Sequence, residues 1–97
     1  MPSYVTLLKW TDQGIRNVKD GPKRLEAAEA AFAAMGGTLK DAYLVMGEYD
    51  LVVIGEAPND ETVMKFALAT GSQGNVRTTT MRAFNREEAR KIIESLP

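Results

Sequence analysis

Two groups of residues in this 97-residue chain have types and positions from which chemistry could be built. The first is Gly47, Tyr49 and Asp50, in the turn Gly47-Glu48-Tyr49-Asp50, with Arg82 as the cation that the strand pattern brings toward them. A glycine there supplies a positive-φ turn. Tyr49 either packs as an amphipathic ring or donates a proton, a role for which an ordinary phenol pKa of about 10 is poorly matched near neutrality. Asp50 either accepts backbone hydrogen bonds at the turn or pairs with a cation, and Arg82 is its expected partner. The second group is Lys9, Trp10, Arg16, Asn59, Asn75 and Arg77. Cations, amides and an indole face gathered on one rim would hold an anion or a planar, carboxylate-bearing metabolite; the alternative is a solvated rim with ordinary helix caps.

What the chain lacks narrows the chemistry further. It has no cysteine, so disulfides, thiol nucleophiles and thiolate metal sites are all absent. It has no histidine, which removes the commonest general base near neutral pH and the usual zinc and haem ligand. No EF-hand-like loop offers carboxylates to a hard cation, so no metal and no cofactor is expected. Gly71-Ser72-Gln73-Gly74 lacks the lysine of a phosphate loop and leads from a helix into a strand, the wrong direction for one. Thr78-Thr79-Thr80 fits β propensity better than a hydroxyl nucleophile, and Met35, Met46, Met64 and Met81 fit core filling. With 12 Lys and Arg against 13 Asp and Glu, the net charge of -1 gives no global field for nucleic acid or an acidic membrane surface. The opening residues carry no secretory-leader pattern, so a cytoplasmic location is expected.

The elements that must position these residues are legible from hydrophobic periodicity. The stretch Ala42 to Ala57, AYLVMGEYDLVVIGEA, reads as two strands joined by a tight polar turn at Gly47-Glu48. Leu51-Val52-Val53-Ile54 is apolar at consecutive positions, so both faces of that strand call for cover. Tyr4 to Trp10 is a first strand, also apolar on both faces. Thr11 or Asp12 can cap a helix with Ile15 and Val18 facing inward, and Asp20-Gly21-Pro22 should break it. From Lys23 an alanine-rich helix places Leu25, Ala28, Phe32 and Met35 on one face, and Gly36-Gly37 stops it. The strand from Thr38 to Met46 carries Leu39, Tyr43 and Val45 on one face and Ala42, Leu44 and Met46 on the other. A helix from about Asp60 to Ala69 turns Val63, Phe66 and Ala67 inward. Asn75 to Phe84 is a fourth strand, with Val76, Thr78, Thr80, Arg82 and Phe84 on one face. Asn85 caps a last helix, striped by Ala89, Ile92, Ile93 and Leu96.

The order β, α, β, β, α, β, α predicts one α+β domain of the ferredoxin-like split βαβ plan with an added C-terminal helix. Its four-stranded antiparallel sheet has the spatial order 4-1-3-2, and right-handed crossovers are read here as making strands one and three parallel central neighbours. On that reading the first helix and the one after strand three begin at the same rim, the rim of the second residue group. Both long helices cover one sheet face. The other face, apolar in the centre, predicts a homodimer or higher homo-oligomer joined as a barrel-like pair; the competing expectation is a monomer whose last helix folds over that face.

Gly47-Glu48-Tyr49-Asp50 followed by LVVIGEAPND, and GNVRTTTMRAF from Gly74 to Phe84, resemble the GYD domain proteins, small bacterial and archaeal proteins named for a Gly-x-Tyr-Asp type signature. Gly47, Tyr49 and Asp50 match that signature residue by residue. The resemblance covers nearly the whole chain and implies a ferredoxin-like, dimeric α/β-barrel fold. It brings no catalytic or ligand-binding role with it.

Besides an assembly subunit whose role is its interface, two functional classes follow. One is a non-enzymatic oligomeric module that binds or senses a small metabolite, by analogy with ferredoxin-like regulatory domains. The other is a cofactor-independent enzyme resembling the small dimeric-barrel monooxygenases, for which Trp10, Tyr43, Tyr49 and Arg82 are the available actors. A pocket of about 300 Å³ or more with convergent polar groups would favour binding or catalysis over packing alone.

Overall fold

Strand β1 (Ser3–Trp10) runs through the middle of the sheet, as its two apolar faces require. The computed structural model describes residues 1–97. After β1, the Thr11 hydroxyl accepts the Gly14 N–H at 3.1 Å and starts the short helix α1 (Asp12–Arg16). The break falls at Asn17, earlier than expected. A 3-10 turn over Val18–Asp20 follows, and Gly21 and Pro22 open helix α2 (Gly21–Ala34) instead of ending one. Proline is tolerated in a first turn because the N–H it lacks has no helical partner there.

Strands β2 (Thr38–Leu44) and β3 (Leu51–Glu56) form the expected hairpin, but its connection is six residues long and not a two-residue turn. Val45 N–H donates to the Asp50 carbonyl at 2.9 Å, and Gly47 takes φ +113°, which excludes most side chains. Helix α3 (Asp60–Ser72), strand β4 (Val76–Ala83) and helix α4 (Arg86–Glu94) complete the chain.

The sheet order is β2-β3-β1-β4, the ferredoxin-like order, in an α+β fold. Every neighbouring pair is antiparallel, including β1 and β3, which pair from Ser3 opposite Glu56 to Leu8 opposite Leu51. The parallel relation expected for that central pair is therefore wrong. The helical crossover makes β2, on the outside, run with β1, and β3 returns from β2 by a hairpin, so it opposes both. The helices after β1 and β3 consequently start at opposite ends of the sheet.

A bulge between Leu39 and Asp41 also shifts the expected alternation in β2. Leu39, Ala42 and Leu44, opposite Gly55, Val53 and Leu51, share the helix face, while Tyr43 opposes Val52 on the other. Helices α2 and α3 lie together on one face, where the Phe32 and Phe66 rings meet at 4.8 Å. There Tyr4, Phe32, Ala57 and Val63 form the core, with Phe66 against them. The opposite face presents Val5, Leu7, Val52, Ile54 and Met81 without cover from this chain.

Helix α4 holds together locally. Asn85 and Glu88 form a reciprocal capping box, and Arg90 bridges Glu87 and Glu94 along the polar side. It makes no substantial contact with any strand or other helix, so it does not fold over the open sheet face. Its Ile92, Ile93 and Leu96 are exposed, and the radius of gyration of 14.5 Å exceeds the roughly 12.5 Å of a compact chain of this length. Met35, Met46, Met64 and Met81 are exposed as well, against the expectation of core filling; Met46 lies in the hairpin loop, fully in solvent. No helix is long and apolar enough to cross a membrane.

Candidate functional site

The sheet and helices close tightly at one end and stay apart at the other, because of the residues α2 carries. Its C-terminal half inserts Phe32, whereas its N-terminal half offers Gly21, Leu25 and Ala28 to a sheet surface of Leu8, Trp10, Leu51 and Val53. Small side chains cannot fill that space. A half-open cavity of about 450 Å³ remains between α2, the end of α3 and the sheet. Its wall is mostly apolar, with Arg24, Thr70, Gln73 and Asn75 as the polar groups. That volume lies within the range of clefts large enough for a small molecule. The structure holds no group of carboxylates arranged for a metal ion.

The rim expected from Lys9, Trp10, Arg16, Asn59, Asn75 and Arg77 is not one place. Trp10 and Asn75 line the cavity. Lys9 and Arg77 oppose each other in the β1–β4 register, on the sheet face away from the helices, and Arg16 is exposed on α1. Asn59 lies at the far end of the sheet, where its side chain accepts the Thr62 N–H at 2.9 Å and caps α3. Asn59 is separated by the antiparallel central pair, which puts the two helix starts at opposite ends, whereas Lys9 and Arg77 are separated from Trp10 by strand alternation. The four residues considered for an enzymatic role are also dispersed: Trp10 lines the cavity, Tyr43 touches its edge but turns its hydroxyl to Asp41 at 2.7 Å on the open sheet face, and Tyr49 and Arg82 do not border it.

The Gly47, Tyr49, Asp50 signature is joined to the cavity through the backbone. Asp50 N–H donates to the Leu8 carbonyl, and an Asp50 carboxylate oxygen accepts the Trp10 N–H, each at 2.9 Å. The carboxylate thus stands where the next strand carbonyl would be and extends the ladder by one bond, holding the Trp10 backbone at the cavity wall. Tyr49 is half-buried, with Lys9 Nζ 5.2 Å from its ring centroid and Glu48 3.7 Å from the same lysine. The expected Asp50–Arg82 pairing does not occur, since Arg82 is at the other end of β4. Asp50→Ala should lower stability by about 1 to 2 kcal/mol and move the emission of Trp10, whereas Asp50→Asn, which keeps an acceptor oxygen, should restore most of both. Thermal melts with fluorescence readout check this.

Arg82 instead closes the opposite end. Its guanidinium donates to the Ser3 carbonyl at 3.2 Å and sits 4.4 Å from the Phe84 ring centroid and 5.7 Å from that of Tyr4. The Tyr4 hydroxyl donates to the Asp60 carboxylate in the first turn of α3. Burial, then the bond to Asp60 and its charge, raises the Tyr4 pKa above the ordinary phenol value, with Arg82 opposing. The folded state therefore holds the Tyr4 proton more tightly than the unfolded chain. Its contribution to stability is complete below about pH 10 and is lost as the pH rises through the folded pKa. Tyr4→Phe should flatten that alkaline decline in urea-unfolding free energy measured against pH.

Arg24, the one charged residue of the cavity, was not among the sequence candidates. A signal for it existed: it lies four residues before Ala28, next to the inward stripe of α2.

With this geometry in hand, comparison with known proteins is informative. The chain is 32% identical over 84 residues, 86% of its length and 88% of the relative's, to a glutamine synthetase and cystathionine beta-lyase binding protein of Thermus thermophilus. The solved structure of FFRP-DM1 superimposes with a TM-score of 0.60 and 27% identity, over 87% of this chain and all of that one. The hypothetical protein PHS023 of Pyrococcus horikoshii does so with a TM-score of 0.54 and 26% identity, over 87% of this chain and 90% of that one. A family model described as GYD domain matches residues 4–93, which include the core, the signature turn and every strand beyond its first residue. This chain belongs to the GYD domain family.

Proposed function

We propose that the protein is a homo-oligomeric binding module, in which copies meet through their open sheet faces and the helix-side cavity of each holds a small apolar or aromatic metabolite. The observation that carries the reading is the cavity, about 450 Å³ in volume, with an apolar wall and a few polar groups. Assembly is supported by how little one protomer buries: eight of its 97 residues, of which only Tyr4, Phe32, Ala57, Val63 and Val76 are hydrophobic. Val5, Leu7, Val52 and Ile54 remain on the open face, and each aliphatic side chain fully buried there would contribute roughly 1.5 to 3 kcal/mol. Helix α4, with nine residues and an apolar stripe, is too short to be stable without a surface to lie on.

The relative named for binding two enzymes favours a second reading, compatible with the first, in which the assembled module also docks on metabolic enzymes. Native mass spectrometry of freshly purified protein tests the first. The expected spectrum shows a multiple of the 10.6 kDa subunit carrying added small-molecule mass; a lone subunit with no addition would overturn it.

A further inference from the structure

We propose that the cavity selects a small apolar molecule bearing a single carboxylate, and that Arg24 is its anchor. This rests on reading the cavity as a small-molecule site. Arg24 is the only charged residue in the lining, and no acidic residue accompanies it. Its Nη1 donates to the Asn17 carbonyl at 2.9 Å, which ties the guanidinium to the segment linking α1 and α2. The Arg24 side chain is partly exposed at the cavity wall, and no carboxylate in the chain lies within ion-pair distance of it. A guanidinium keeps its charge at any pH the fold tolerates, so the cavity wall carries a fixed positive charge. A guanidinium with no carboxylate beside it, at the wall of an apolar cavity, favours an anionic guest.

The rest of the wall decides which anion. One cation balances one negative charge, so a phosphate dianion would remain partly uncompensated among apolar side chains. A carboxylate matches. Leu8, Leu51, Val53 and Val76 take the apolar body, and Trp10 offers an aromatic face to a ring. Lys9 and Arg77 contribute nothing here, since both stand on the other side of the sheet.

Trp10 is the chain's single tryptophan, so its emission reports on the cavity without a label. The experiment titrates the unmodified protein with 4-phenylbutyrate and, separately, with its uncharged counterpart 4-phenylbutyramide. The expected result is a shift of Trp10 emission by both, with the acid binding about tenfold or more tightly than the amide, the worth of one charge-assisted hydrogen bond. Arg24→Gln should erase that preference and leave amide binding in place, and Arg24→Lys should retain part of it. Equal binding of acid and amide by the unmodified protein, or an acid preference that survives in Arg24→Gln, overturns the anchor while leaving the cavity reading intact. Failure of both probes to move Trp10 up to their solubility limits overturns cavity and anchor together. The comparison of acid with amide uses native protein, so a poorly folding variant cannot shield the proposal.

Discussion

Phe32→Ala should lower the unfolding free energy by about 3 to 5 kcal/mol, a large share of the roughly 5 to 15 kcal/mol that holds a chain of this size folded. Phe32 is 6% exposed, meets the Phe66 ring at a 45° tilt and lies close against the backbone at Gly37 and Gly55. A Cβ placed on Gly37 would lie 2.6 Å from the ring, and one on Gly55 would lie 3.3 Å away. Sheet, α2 and α3 therefore converge on this side chain, and no neighbour can move in to fill the space that alanine would leave. The closed end of the molecule depends on it, and so does the contrast with the open end where the cavity lies. Urea unfolding measures the loss; a change below about 1 kcal/mol would mean that the core collapses around the gap.

Val52→Asp is expected to act on assembly instead of on the protomer core. Val52 lies between Leu7 and Tyr43 in register, on the face away from α2 and α3. In a protomer alone the new carboxylate would reach water at modest cost. Between two sheets it would be buried without a cation, at an effective penalty of several kcal/mol per ion, enough to weaken association by a factor of a thousand or so. Native mass spectrometry and size-exclusion chromatography across a dilution series should then report a single subunit. An assembly that survives the substitution would show that the open face is not the interface.

The proposed division of labour has a simple physical form. One sheet face is apolar at its centre, suited to another sheet; the other has a tight aromatic end and a loose end, and the loose end makes a cavity. The signature aspartate bears on the loose end, because Asp50 secures the backbone of Trp10 from the loop that closes the hairpin.

Much of this could be read along the chain. Strand alternation, the alanine-rich stripe of α2 and the Asn59 and Asn85 caps are signals carried within a few residues, and the observed elements follow them closely. The apolar character of both faces of β1 and β3 put those strands in the centre, where they are. What a local pattern cannot carry is which residues from distant segments come within bonding distance. The direction of β3 relative to β1, the single extra residue in β2, the acceptor that Asp50 offers Trp10 and the unfilled space beside Arg24 all arise from the packing of whole elements. The direction of β3 moves Asn59 to the far end of the sheet, and strand alternation turns Lys9 and Arg77 away from Trp10. The gap between α2 and the sheet, invisible in any one of the segments that border it, forms the candidate site.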